Sequence, residues 1–289
     1  MHVIRTALWY EISPRAGSAH HQDQQLSTKA VLEPAIPTSS ALHTATRLSV
    51  NVNKIATIRN ARGGILPCPI EAARQLCAWG AEGITVHPRP DARHITYDDV
   101  RRMRDVVGSA GAEFNIEGYP NAELLSLVSE VAPDQVTLVP DAPDVLTSNA
   151  GWNTVQHAHT LEGILSALRA DGLRSSLFIG VEPGMIEGAA RAGADRIELY
   201  TEAYAMGYGA DAKAAVAPFQ HAAQRANALG LGVNAGQDLN LENLAFFDAQ
   251  LPELLEVSIG HAFISDALYL GMETALRQYL TCISHPAAV

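Results

Sequence analysis

From Leu48 onward, short apolar runs alternate with longer amphipathic, Ala-rich stretches. The runs are LSVNVN (48–53), GITVH (83–87), EFNIEG (113–118), QVTLVP (135–140), SLFIG (176–180), RIELY (196–200), LGVNAG (231–236) and LEVSIG (255–260). Their shortness and their content of Val, Ile, Leu and Phe predict buried parallel strands. The stretches between them predict helices over 69–81, 96–108, 121–132, 159–172, 183–194, 211–230, 240–250 and 262–280. Several open with Asp, Asn, Thr or Pro and close on Gly, as helix capping prefers. Eight strand–helix units in about 240 residues predict an α/β fold of the (β/α)8 TIM barrel type. The rival is a doubly wound open sheet. No G-x-G-x-x-G follows the first run, which weakens that rival and a dinucleotide site with it.

Residues 1–47 break the pattern. They hold four of the eleven histidines and many Gln, Ser, Thr and Pro residues with little periodicity. They are expected to form an N-terminal extension to a barrel domain spanning 48–289. The formal net charge of −11 argues against a nucleic-acid partner, whose binder should be basic. No apolar run approaches the roughly 18 residues of a membrane span, and MHVIRTALWYEISPRAG lacks the apolar core of a secretory leader. Three cysteines, Cys68, Cys77 and Cys282, form neither a disulfide framework nor a paired zinc spacing. A cytoplasmic protein with no metal site is the expectation.

In such a barrel, chemistry sits at the C-terminal ends of the strands. The sequence places Asn51, Asn53 and Lys54 there after the first run, followed by Arg59 and Arg62. His87, Arg89, Arg93 and His94 follow the second run, and Glu117 ends the third. Asp141, Asp144, Thr147 and Ser148 follow the fourth. Glu198, Tyr200, Thr201 and Glu202 mark the sixth, Asn234, Gln237 and Asp238 the seventh, and Gly260 with His261 the eighth. Histidine moves protons at neutral pH, and rim arginines suit phosphate or carboxylate. Gly236 and Gly260 let backbone N–H groups approach an anion. Plainer roles compete at every position, because a polar residue at a strand end also caps helices. Arg93 and the Arg101–Arg102 pair read as solvated charges, and His157, His159 and His221 as surface histidines. Glu198 lies inside a strand, where a lone carboxylate is costly, so it needs a cationic partner or a functional role.

The segments VNVNKIATIRNARGG, GAEGITVHPRPDARHIT, FNIEG, LVPDAPDVLTS, SLFIG, LGVNAG and SIGHAFIS occur in order. Together, over about residues 48–280, they resemble the pyridoxine 5′-phosphate synthase family. The resemblance implies a barrel with extra helices, octamers built from dimers, and no metal or organic cofactor. It implies condensation of 3-amino-2-oxopropyl phosphate with 1-deoxy-D-xylulose 5-phosphate. It places an acid–base histidine at His87 and a catalytic glutamate at Glu117. It places ketose-phosphate contacts at Arg89, His94 and Thr147. It places the amino-ketone phosphate at Asn51, Arg62, Gly260 and His261.

Three family motifs are altered. The first-strand Asn-x-Asp-His pattern ends here in Asn53 and Lys54, at positions that contact the ketose phosphate. The seventh-strand Asn-Ala-Gly-His-Gly turn ends in Gln237 and Asp238. Glutamine at the position of a catalytic proton donor cannot act as a general acid. Asp238 would repel a phosphate placed beside it. Tyr200 and Glu202 stand in place of His and Gly after the sixth strand. Three functions fit: the family's ring-forming condensation; a diverged paralogue that condenses another amino ketone and carbonyl, with Lys54 on a carboxylate; and a non-catalytic binder of phosphorylated metabolites.

Overall fold

The computed structural model describes residues 45–141 and 150–283. Eight parallel strands close into a barrel in chain order, with the last pairing back to the first. They are β1 Arg47–Asn51, β2 Gly83–Val86, β3 Glu113–Gly118, β4 Gln135–Leu138, β5 Arg174–Ile179, β6 Arg196–Tyr200, β7 Gly232–Gly236 and β8 Leu254–Ile259. The helices are α1 Asn53–Arg62, α2 Pro69–Trp79, α3 Tyr97–Ser109, α4 Ala122–Val131, α5 Ala158–Ala170 and α6 Pro183–Ala192. After them come α7 Glu202–Tyr208, α8 Ala212–Ala228, α9 Leu244–Gln250, α10 His261–Leu270 and α11 Met272–Ile283. No helix among the described residues is long and apolar enough to cross a membrane.

All eight expected strands form, each within two or three residues of its expected ends. Three features differ. The first strand stops at Asn51, and the chain turns into α1 at Asn53 without a side-chain cap. The short α7 follows β6 directly. The closing stretch is two helices, because Gly271 at φ +81° ends α10 and lets the chain re-aim into α11.

The strands alternate between apolar and polar side chains. Leu48, Val50, Ile84, Val86, Phe114, Ile116, Val136 and Leu138 are buried in one apolar core with residues of the surrounding helices. The intervening residues meet one another across the barrel interior, which is therefore polar. The Ser49 and Thr85 hydroxyls are 2.7 Å apart, Asn115 donates to Thr85 at 3.3 Å, and Thr137 donates to Asn115 at 3.1 Å. One layer nearer the strand N-termini, Arg196 donates to Asn234 at 3.2 Å and Asn234 to Gln135 at 3.3 Å, while Arg196 lies 3.9 Å from Glu256. Buried polar groups with mutual partners form a stiff base for the layer above.

Two clamps shape the mouth. Thr96 and Asp99 form a reciprocal capping box at the start of α3, which fixes where the β2–α3 loop ends. Arg59 on α1 donates to both carboxylate oxygens of Asp99, at 2.7 and 2.9 Å, and to the His94 carbonyl at 3.2 Å. At Gly151, a Cβ would come within 2.5 Å of the Ile179 and Gly180 backbone, which cannot give way as a side chain end can. Gly151→Ala is expected to lower stability by about 1–3 kcal/mol, read as a reduced denaturant midpoint at unchanged slope.

Candidate active site

The top inward layer of the barrel opens into a cavity of about 660 Å³. His87, Glu117, Glu198 and Ser258 lie at its floor, all buried. His87 Nδ1 is 3.8 Å from Glu117 Oε2, beyond hydrogen-bond distance. Burial, reinforced by Arg89, His94 and Arg93, holds the His87 imidazole well below the usual histidine range. Burial also raises Glu117 to about 8, with Asp141 and Glu256 adding to the rise. At pH 7 the pair is thus an uncharged imidazole facing a protonated carboxyl rather than an ion pair. One group can accept a proton while the other can donate one.

Neighbouring residues hold this pair in place. Asn51 donates to Glu117 Oε2 at 3.3 Å and accepts from the Asn53 N–H at 3.0 Å. Asn53 Oδ1 accepts the His87 backbone N–H at 2.9 Å. The end of β1 and the first turn of α1 thereby fix both catalytic candidates from one side.

One wall of the cavity is basic. Lys54, Arg89, Arg93 and His94 line it. Arg89 donates to Asp141 at 3.0 Å, and both side chains are almost wholly buried. Burial first, then Arg89, Lys54 and Arg93, pushes His94 down to about 4. Its Nδ1 is buried without a partner among the described residues. An anion there would face Lys54 together with Arg89 and Arg93, which already pair with Asp141 and Asp91. Gly260 and His261 also line the cavity and open α10, whose positive pole adds to the anion's welcome. A side chain at 260 would press on Asn51 at 3.1 Å.

The other wall is acidic. Tyr200, Glu202, Gln237 and Asp238 line it, with Glu198 beneath. The Tyr200 hydroxyl donates to Glu202 Oε2 at 2.7 Å. Tyr200 pairs with Gly236 in the β6–β7 register, which brings Asp238 beside Glu202. Burial and then Glu202 raise the Asp238 carboxyl, while His261 opposes the rise. Burial and then Glu117 hold Glu198 well above the carboxylate range. Gln237 has φ +92°, a left-handed conformation that costs a non-glycine residue about 1–3 kcal/mol. Because β6 stands four places from β2 in the closed ring of eight, the basic and acidic walls face each other.

Most sequence-predicted residues meet here: Asn51, Asn53, Lys54, His87, Arg89, His94, Glu117, Gln237, Asp238, Gly260 and His261. Arg62 does not. It is exposed on the last turn of α1 and is absent from the cavity lining. Thr147, Ser148 and Asp144 lie outside the described residues, as does nearly all of 1–47. Arg93 differs from the expected solvated charge: it lines the cavity while pairing with Asp91 at 2.7 Å. Arg101 and Arg102 are exposed and pair with Glu130 and Asp98 on helix surfaces. Thr57 and Ser258 also line the cavity, and sequence reasoning named neither. Glu198 forms no ion pair among the described residues, and its Oε2 is buried there without a hydrogen-bond partner. Among those residues no group of three or more His, Cys, Asp or Glu side chains is placed to hold a metal ion.

A parallel barrel with a buried proton-donor and proton-acceptor pair between opposed charged walls defines a barrel enzyme of acid–base chemistry. Known proteins agree on class and family. The family model described as "Pyridoxal phosphate biosynthesis protein PdxJ" matches residues 48–285. The chain is 54% identical over 239 residues to pyridoxine 5′-phosphate synthase of Parabacteroides distasonis, covering 83% of this chain and 99% of that one. It is 53% identical over 235 residues to the synthase of Christiangramia forsetii, covering 81% and 98%. The chain belongs to this family of enzymes. Among solved structures, a tryptophan synthase from M. tuberculosis superposes with a TM-score of 0.60 at 13% identity, over 84% of this chain and 94% of that one. A thiamine phosphate pyrophosphorylase from Pyrococcus furiosus gives 0.54 at 13%, over 83% and 95%. At such identity these two share the fold alone.

Proposed function

We propose that the chain catalyses a ring-forming condensation of an amino ketone with a ketose phosphate, giving pyridoxine 5′-phosphate or a related heterocycle. The carrying observation is the His87–Glu117 pair, neutral imidazole against protonated carboxyl, on the floor of a cavity with a basic wall. The amine attacks the ketone carbon to form a carbinolamine. Glu117 protonates the departing hydroxyl, water leaves, and an imine remains. His87 takes a proton from the carbon beside the imine, which gives the enamine needed for ring closure. The ketose partner's phosphate is eliminated as inorganic phosphate and ring closure expels a second water; each step is a proton transfer, addition or elimination, so no electrons enter or leave. Lys54, Arg89 and His94 hold the phosphate of the ketose partner, and Thr147 is assigned to the same group through the family. Holding both partners in register supplies the entropic part of the acceleration.

Gln237 takes no part in proton transfer in this scheme, because its amide does not titrate near neutrality. The test mixes purified protein with 3-amino-2-oxopropyl phosphate and 1-deoxy-D-xylulose 5-phosphate and follows pyridoxine 5′-phosphate by mass spectrometry. Product that disappears in His87→Ala is the expected result. Product that persists in His87→Ala would remove the histidine from the mechanism. No product from folded wild-type protein would favour the paralogue reading, with a different substrate pair, which the acidic wall also favours.

A further inference from the structure

Arg89 and Asp141 form a salt bridge at 3.0 Å, and their side chains are only 5% and 3% exposed. Arg89 follows β2 and Asp141 follows β4, so the pair spans the end of β3, which lies between those strands and carries Glu117. Arg89 lines both the main cavity and a small recess beside it, while Asp141 lines the recess. The guanidinium therefore stands between Asp141 and the floor of the site. A guanidinium keeps its charge at any working pH. Left unbalanced next to the floor, it would favour the ionised form of Glu117.

Glu117 can give a proton in the proposed reaction only while it carries one. Asn51 at the end of β1 donates to its Oε2 at 3.3 Å. His87 after β2 lies 3.8 Å away and is uncharged near neutrality. Burial favours the protonated carboxyl most, then Asp141 beyond β4 and Glu256 on β8, while Arg89 beyond β2 and a hydrogen bond with Ser258 on β8 oppose it. Glu198 on β6 interacts with Glu117 as a second carboxyl. Arg89 is the cation of this set, and Asp141 is the carboxylate bonded to it. We infer that Asp141 is a positioning residue for the condensation: bonded to Arg89 from the recess, it offsets that guanidinium's charge at the Glu117 floor and so keeps Glu117 a proton donor. This rests on the reading of Glu117 as the acid of the reaction.

The experiment titrates protein labelled with carbon-13 at its glutamate carboxyl carbons, by NMR and without substrate. The Glu117 signal is identified by its loss in Glu117→Gln. In the wild type its midpoint is expected at about 8. In Asp141→Asn the midpoint falls by about one pH unit, the effect of one newly unbalanced charge at a partly screened distance. The alkaline fall of kcat/KM, which reports the free enzyme, moves down with it. Asp141→Glu keeps the charge and leaves the midpoint in place. Arg89→Gln is the converse variant: it removes the cation, and the midpoint rises. An Asp141→Asn protein that is less stable but titrates like the wild type overturns the inference, because Asp141 would then only support the fold. An Asp141→Glu protein that shifts as far as Asp141→Asn also overturns it, since shape rather than charge would be at work. Should Asp141→Asn not fold, Arg89→Gln decides, and a midpoint that stays or falls there overturns the inference. The titration needs no turnover. A midpoint that moves as expected in a chain that forms no condensation product would refute the reaction and keep the role of Asp141 toward Glu117. Product from a chain whose midpoint does not move would do the opposite.

Discussion

Glu117→Gln is expected to lower kcat by about 10²–10⁴, the range for loss of one positioned acid–base group. It should also change the shape of the pH profile. Glu117 is protonated below about 8 and ionised above it. His87 is neutral down to well below the usual histidine value. The working form, with protonated Glu117 and neutral His87, therefore fills the neutral range and is lost on the alkaline side as Glu117 ionises. kcat/KM in the wild type should be flat near pH 7 and fall above about 8. The glutamine variant should keep its low rate with no alkaline limb in that region. An alkaline limb that persists at the same pH in the variant would assign it to another group. The same shift has a stability counterpart. Glu117 and Glu256 both have folded values near 8, above their unfolded values. Their contribution to stability is complete below about pH 4 and declines as pH rises through about 8.

Arg59→Ala is expected to cost about 3–5 kcal/mol, because it leaves the buried Asp99 carboxylate without its main cation. Burial alone would raise Asp99, but the hydrogen bonds from Arg59 and Thr96 outweigh it and hold the carboxyl below its ordinary value. Asp99 thus stabilises the fold above about pH 4 and loses that contribution as pH falls through its lowered value. In Arg59→Ala this acid dependence should shrink, and chemical denaturation at pH 7 and pH 4 would show it. Arg59 also holds the His94 carbonyl. The variant should raise KM for the phosphorylated partner more than it lowers kcat, since it frees the His94 loop and leaves His87 and Glu117 in place. Arg59→Lys is expected to recover little, because a point charge cannot bridge both oxygens of Asp99.

The strands were legible because their outward residues are large and apolar, and because a turn or helix cap follows each. The barrel's polar interior, with Ser49, Thr85, Asn115 and Thr137, was not read from the sequence, because a strand template tuned to continuous apolar runs passes over it. The start of α1 was not legible. VNVN alternates like a strand, and the helix after it has almost no apolar face, since it spends Arg59 and Asn60 on holding a loop. The floor of the site followed directly from strand ends: His87, Glu117 and Asn51 sit where a period of two places them. Loop residues did not. Arg93 lines the cavity and the exposed Arg62 does not, and both outcomes depend on tertiary geometry beyond any local pattern. Glu198 was readable as an anomaly, a carboxylate in mid-strand. Only the fold shows that it faces the cavity instead of a cation.

The opposed walls have a further consequence for selectivity among products. A substrate with an anionic end and a cationic end meets a strong transverse field as it enters, and only one of its two orientations is favourable. Under the proposed condensation, that orientation would bias which carbonyl meets the amine, and the separation of Lys54 and Arg89 from Glu202 and Asp238 would set the regiochemistry. Reversing the charge on one wall would change which isomer forms before it changed how fast.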